Sequence, residues 1–112
     1  MNFKLKNKNV LVTAGAQGIG EAITQHLIDS GANVAIHYYS SSDRANQLKN
    51  SATSLSLKAV AIQADLTIEN EATSLVQQAE KALGGLDILI NNAGSLVAVS
   101  YTHLTLPTIY SV

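Results

Sequence analysis

The sequence predicts an α/β protein, a doubly wound parallel sheet truncated after its fourth strand. Three observations carry that expectation. Short apolar runs alternate with longer segments of helical spacing, and each run ends in a polar or glycine-bearing turn. One of these turns, TAGAQGIG at Thr13 to Gly20, joins an apolar run directly to a helical pattern. Strands separated by helices pair in parallel through right-handed crossovers, and open sheets of this kind bind ligands beyond the carboxyl ends of their strands.

Taken in order, Lys8 to Thr13 (KNVLVT) is a nearly continuous apolar run ending at a turn, the pattern of a strand buried on both faces. A helix is expected from Gly18 to Ser30, with Ile19, Ala22, Ile23 and Leu27 as its apolar stripe, His26 on its surface border and Gly31 as its C-terminal cap. Asn33 to Tyr38 (NVAIHY) is the second strand. Tyr39 to Ser42 then turns into a second helix, which Ser41 or Ser42 caps and whose thin apolar face is Ala45, Leu48 and Ala52. Ser51 to Ser56 reads as a polar connection to the third strand, Lys58 to Gln63, which leads to Asp65. Thr67 is placed to cap a third helix, with Glu69 and Glu71 near the positive end of its dipole. The stripe Ala72, Leu75, Val76, Ala79, Ala82 and Leu83 is the clearest helical period in the chain, and Gly84-Gly85 stops it. Leu86 to Ile90 is the fourth strand, followed by NNAG at Asn91 to Gly94.

Composition narrows the classes. With 46% apolar and 13% charged residues, the chain is globular material, neither a disordered tail nor a coiled coil. A formal net charge of −1 gives no electrostatic reason to expect nucleic acid or an anionic membrane. No apolar run approaches a membrane span and the N-terminus lacks a signal-peptide core, so the expected location is cytoplasmic. The absence of cysteine removes disulfides, thiol chemistry and thiolate metal sites, and His26, His37 and His103 are too scattered to suggest a metal.

The turn from Thr13 to Gly20 has the makings of a phosphate site. Glycines let the backbone take positive φ and approach a ligand without an intervening Cβ, and the helix that follows offers unpaired N–H groups and the positive end of its dipole to an anion. The end of the second strand, Asp65 and NNAG all fall on the same edge of the predicted sheet.

These residues resemble the short-chain dehydrogenase/reductase family, in its classical branch, over about Lys6 to Gly94. Of the family's TGxxxGIG, Thr13, Gly18, Ile19 and Gly20 match, while Ala14 stands at the first glycine and Gly15 follows it. NNAG matches throughout, and Asp65-Leu66 matches the family's acidic position near adenine. The resemblance implies an NAD(P)-binding Rossmann fold, of which residues 1–98 are the N-terminal part. It implies that Thr13, Gly15, Gly18, Ile19 and Gly20 form the phosphate turn, that Asp65 and Leu66 hold adenine, and that Asn91, Ala93 and Gly94 lie by the ribose.

An enzyme that prefers NAD places an acid at the end of the second strand to hold both ribose hydroxyls, and that acid repels a 2′-phosphate. Here the strand ends in His37-Tyr38-Tyr39-Ser40, with no acid until Asp43. Tyr38 and Ser40 are therefore expected at the cofactor, the serines as hydrogen-bond donors and Arg44 or His37 as positive charge, with NADP(H) preferred over NAD(H).

The resemblance further implies hydride transfer between nicotinamide and a carbonyl or secondary alcohol, a small-molecule substrate and a homo-oligomeric full-length protein. The family's catalytic Ser and YxxxK have no counterpart: Tyr101 is followed four residues on by Thr105, and no lysine follows Lys81. No catalytic residue is therefore assigned, and the chain alone is expected to be inactive. The tail, residues 99–112, shows no helical stripe, is broken by Pro107 and is expected to be foreign to the natural protein. The competing expectation is a non-catalytic NADP(H)-binding module.

Overall fold

The computed structural model describes residues 3–94 and 107–112. Each apolar run becomes a strand: β1 (Asn9–Val12), β2 (Asn33–Tyr38), β3 (Ala59–Gln63) and β4 (Ile88–Asn91). With β5 (Thr108–Ser111) they form one parallel sheet in the order β3-β2-β1-β4-β5. Val12 pairs with both Ile36 and Ile90, so the three inner strands finish nearly level and their following turns share one edge.

Alternation along the strands explains why the runs are continuously apolar. Val10, Val12, Val34 and Ile36 point to one face, where α1 (Gly18–Asp29) brings Leu27 and Ile28 and α2 (Ser42–Ser54) brings Ala45 and Leu48. Leu11, Ala35, Ile62 and Leu89 point to the other, against Leu75, Val76, Ala79 and Leu83 of α3 (Glu69–Leu83). A strand covered on both faces has no position where water favours a polar side chain.

Four local expectations are corrected. The buried stripe of α1 is Gly20, Thr24, Leu27 and Ile28, whereas Ala22 is exposed and Ile19 is 65% exposed. Ala82 of α3 is likewise exposed. The second helix runs on through Ser51 to Ser54, carrying Ala52 onto its buried face. Thr67 caps nothing: Ile68 holds the N-cap position of α3, and the Thr67 hydroxyl and N–H both donate to Asp65 Oδ1, at 2.6 and 3.0 Å. A short acceptor two residues upstream takes the threonine before the helix can use it. Gly31 does sit at φ +84 after α1, with its N–H and that of Ala32 bonded to Ile28 O and Leu27 O.

The sheet does not end at its fourth strand. Thr108 to Ser111 pair with Ile88 to Asn91, and all four side chains are exposed, so β5 is held by its backbone ladder on the open side of β4. The four-residue run TIYS is too short to show a period of its own, but an unpaired parallel edge offers it a full set of partners. Residues 99–106, the larger part of the anomalous tail, lie outside the described residues.

Candidate functional site

A cleft of about 470 Å³ opens along the carboxyl edge of the sheet. Ala14, Ala16 and Gln17 form its wall after β1; His37, Tyr38, Tyr39, Ser40 and Ser41 form the wall after β2; Ala64, Asp65, Leu66 and Thr67 form the wall after β3; Ala93 closes it after β4. The turns that the sequence singled out therefore converge.

The three glycines of the first turn do different work. Gly18 lies at φ +50 with open space around the place of a Cβ, so its backbone is approachable from outside. Gly20 is the opposite case: a Cβ there would lie 2.0 Å from Ala14 O and 2.5 Å from Asn92 Nδ2. Gly15 is packed as well, against Thr24, Val12 O and Ile36. Behind the turn the Thr24 hydroxyl sits 2.9 Å from Gly15 O and 2.8 Å from Gly20 O, tying the first turn of α1 to the strand it leaves.

Ala14 stands where the family motif has glycine, and its φ is +51. Left-handed backbone at an alanine is destabilising by about 1–2 kcal/mol, against roughly 0.5–1 kcal/mol of extra unfolded-state entropy for glycine. Ala14→Gly is expected to stabilise the protein by about 0.5–1 kcal/mol in urea denaturation. A loss of stability would show that the turn tolerates alanine without strain.

The fourth turn is built by side chains that never reach the cleft. Thr13 is fully buried; its Oγ1 donates to Asn91 Oδ1 at 3.3 Å and accepts from the Ala93 N–H at 3.0 Å, while the Gly94 N–H donates to Asn91 Oδ1 at 3.2 Å. Asn92 Nδ2 donates to Ala14 O at 3.2 Å, joining NNAG to the glycine turn. Thr13, Gly15, Gly20 and Asn91 thus shape the walls from behind, whereas Tyr38, Ser40, Asp65, Leu66 and Ala93 line them. Gly18, Ile19 and Gly94 are exposed at their turns.

Asp65 is fixed rather than free. Its carboxylate accepts both Thr67 bonds, which, hydroxyl first, hold it below the usual carboxylate range, and its N–H donates to Glu71 Oε1 of α3 at 2.9 Å.

Two residues expected to bring positive charge do not bring it. His37 is buried, its Nδ1 accepts the Ala14 N–H at 2.9 Å, and its Nε2 lies 2.9 Å from Ala64 O. An N–H donor on Nδ1 and a carbonyl on Nε2 fix the neutral Nε2–H tautomer, and burial pushes the imidazole below its ordinary pKa. Arg44 pairs with Glu21 of α1 and donates to Gln47 Oε1. Its partner is on another helix, which no local pattern reveals.

Residues missed in the sequence are Ala16, Gln17, Ala64 and Thr67. The first two lay inside the glycine motif and the last two flanked the Asp65-Leu66 pair, so a wider window around each motif would have found them. Gln17 and Ser41 hold the N-cap positions of α1 and α2, neither makes a side-chain cap bond, and the Gln17 amide donates to Ser41 Oγ. Two helix N-termini without side-chain caps therefore meet at one cleft. This is a fit for an anionic dinucleotide: approachable backbone at Gly18, a turn kept free of Cβ at Gly20, and helix N–H groups for phosphate.

Comparison with known proteins agrees with this geometry. The family described as short chain dehydrogenase matches residues 8–112. An uncharacterized oxidoreductase of Methylorubrum extorquens is 40% identical over 91 residues, 81% of this chain and 37% of its own length. A 3-oxoacyl-[acyl-carrier-protein] reductase of Staphylococcus epidermidis is 34% identical over 88 residues, 79% of this chain and 36% of its own. The crystal structure of a short chain dehydrogenase from Burkholderia cenocepacia in complex with NADP superposes with a TM-score of 0.78 at 44% identity, over 94% of this chain and 42% of that one. The chain thus spans little more than a third of the length of the curated relatives it matches. No helix among the described residues is long and apolar enough to cross a membrane. By sequence, by fold and by the turns that build its cleft, the chain belongs to the short chain dehydrogenase family.

Proposed function

We propose that this chain is the cofactor-binding part of an NAD(P)-dependent oxidoreductase and that it prefers NADP(H). The observation that carries the proposal is the meeting of the α1 and α2 N-termini at one cleft, through Gln17 and Ser41. A dinucleotide with a 2′-phosphate presents phosphate at two places, the pyrophosphate at the glycine turn and the 2′-phosphate at the end of β2. The α1 N-terminus with Gly18 suits the first, and Ser40, Ser41 and the first turn of α2 suit the second. No carboxylate stands among the β2-side lining residues from His37 to Ser41 to repel it. Two of the similar solved structures are described as holding NADP, which supports the same choice.

Within the cleft, Asp65 and Leu66 are assigned to the adenine, Ala93 and Gly94 to the ribose, and Gly18 and Ile19 to the pyrophosphate. When bound, the nicotinamide supplies hydride chemistry toward a carbonyl or a secondary alcohol. This chain's residues bind and orient; the sequence holds no tyrosine followed four positions on by lysine to move the proton. For the chain by itself, therefore, NADP(H) binding without turnover is the second reading. On the same proposal residues 99–112 are foreign to the oxidoreductase. Resequencing the source DNA from the Gly94 codon onward tests it, since a frame running into a YxxxK segment supports it and an unchanged frame opposes it.

Ser40→Asp is the direct test of cofactor choice. A carboxylate beside the 2′-phosphate is expected to weaken NADP⁺ about tenfold to a hundredfold in calorimetric titration, while NAD⁺ is unchanged or tighter. Equal weakening of both cofactors would place the 2′-phosphate elsewhere.

A further inference from the structure

His37 is the one buried histidine among the described residues, and the oxidoreductase reading gives it no task once its positive charge is withdrawn. Its position is unusual. It stands on β2, the strand between β1 and β3, and lines the cleft. One nitrogen holds the N–H of Ala14, the residue of positive φ that opens the glycine turn, and the other holds the carbonyl of Ala64, the residue before Asp65. Gly15 N–H donates to His37 O at 2.9 Å, so backbone and side chain of the same residue both grip the turn.

We propose that His37 is a positioning residue for the dinucleotide: its neutral imidazole is a strut that sets the spacing between the phosphate turn after β1 and the adenine wall after β3. The proposal rests on the cofactor reading given above. Two successive N–H groups of the turn are held by this one residue, Ala14 N–H by the His37 ring and Gly15 N–H by the His37 carbonyl. The Ala14 carbonyl is fixed from the opposite side by Asn92, so the turn is clamped between NNAG and His37. An imidazole is the right length for the task, since its two nitrogens lie on opposite sides of a rigid ring and one donates while the other accepts.

Protonation would defeat the strut, because an imidazolium has no acceptor for the Ala14 N–H. The titratable groups near it are Tyr38 and Tyr39 on its own wall, Asp65 on the opposite wall and Glu71 of α3 behind Asp65; the glycine turn from Ala14 to Gly20 contributes none. His37 titrates below its ordinary value, so the loss belongs to the acid side of neutrality.

The test is NADP⁺ titration of the 112-residue chain and of His37→Asn and His37→Phe between pH 5 and 8. His37→Phe keeps a planar aromatic ring but offers the Ala14 N–H no acceptor, and is expected to bind about tenfold more weakly at every pH. His37→Asn restores a neutral acceptor and is expected to recover several-fold of that loss. Wild-type affinity falls on acidification more steeply than that of His37→Asn. The difference isolates the imidazole from the 2′-phosphate, which itself titrates near pH 6. Equal pH profiles, or His37→Phe binding like wild type, would overturn the strut. Long-range 15N NMR of the imidazole and amide exchange at Ala14 need no ligand. An Nδ1–H tautomer, or Ala14 exchange unchanged in His37→Phe, refutes the strut, whereas a wild-type chain that binds no dinucleotide refutes the cofactor reading instead.

Discussion

Gly20→Ala is expected to destabilise the fold by about 3 kcal/mol or more and to abolish NADP⁺ binding. The added Cβ would fall 2.0 Å from Ala14 O and 2.5 Å from Asn92 Nδ2, and the nearer of these is backbone that cannot swing aside. Relief requires α1 to withdraw from the turn. That breaks the Thr24 hydroxyl's hold on Gly15 O and Gly20 O and separates NNAG from Ala14. Gly18→Ala is the control, because an added Cβ there meets nothing and only the φ of +50 is strained, a loss of about 1 kcal/mol. Urea denaturation compares the pair. Equal losses would mean that conformation alone, and not close packing, selects glycine at both positions.

The second large effect lies on the other side of the sheet. Leu75 is fully buried where α3 meets Leu11, Ile62 and Leu89, and Leu75→Ala is expected to remove about 3 kcal/mol, from lost burial plus the cavity it leaves. Against a total of roughly 5–15 kcal/mol for a domain of ordinary stability, that loss is large enough to raise the unfolded population visibly. It also bears on the cleft, because Glu71 of the same helix holds the Asp65 N–H. Circular-dichroism melts should show a clear drop in midpoint, while the protein that remains folded binds NADP⁺ within a few-fold of wild type. A drop below about 1 kcal/mol would mean that the α3 face is loosely packed.

The strands were legible because a run such as Val10-Leu11-Val12 is apolar at every position, and only a strand with helices on both faces needs that. The stripe of α3, Ala82 apart, was legible for the converse reason, since its outer face is mostly polar. The stripe of α1 was legible in part: Leu27 is buried and Ile23 packs against the core as expected, but Gly20 and Thr24 take the places given to Ile19 and Ala22, and neither looks apolar in a sequence. Thr67 was misread because Asp65 competes for it two residues away. For His37 the residue type suggested charge, yet Ala14 and Ala64 are brought to its two nitrogens from separate turns, and only the fold supplies that. Of the fifth strand only the β-prone residue types of TIYS were legible, because its pairing with the edge of β4 leaves no pattern in so short a run.

The most direct measurement is an NADP⁺ titration of the 15N-labelled 112-residue chain, followed by amide chemical shifts, with NAD⁺ in parallel. The expected result is saturable binding, tighter for NADP⁺, with the largest shifts at Gly18, Ile19, Ser41, Asp65 and Ala93, around the cleft where α1 and α2 begin. A spectrum that does not change, or changes scattered away from those turns, would contradict dinucleotide binding at this site.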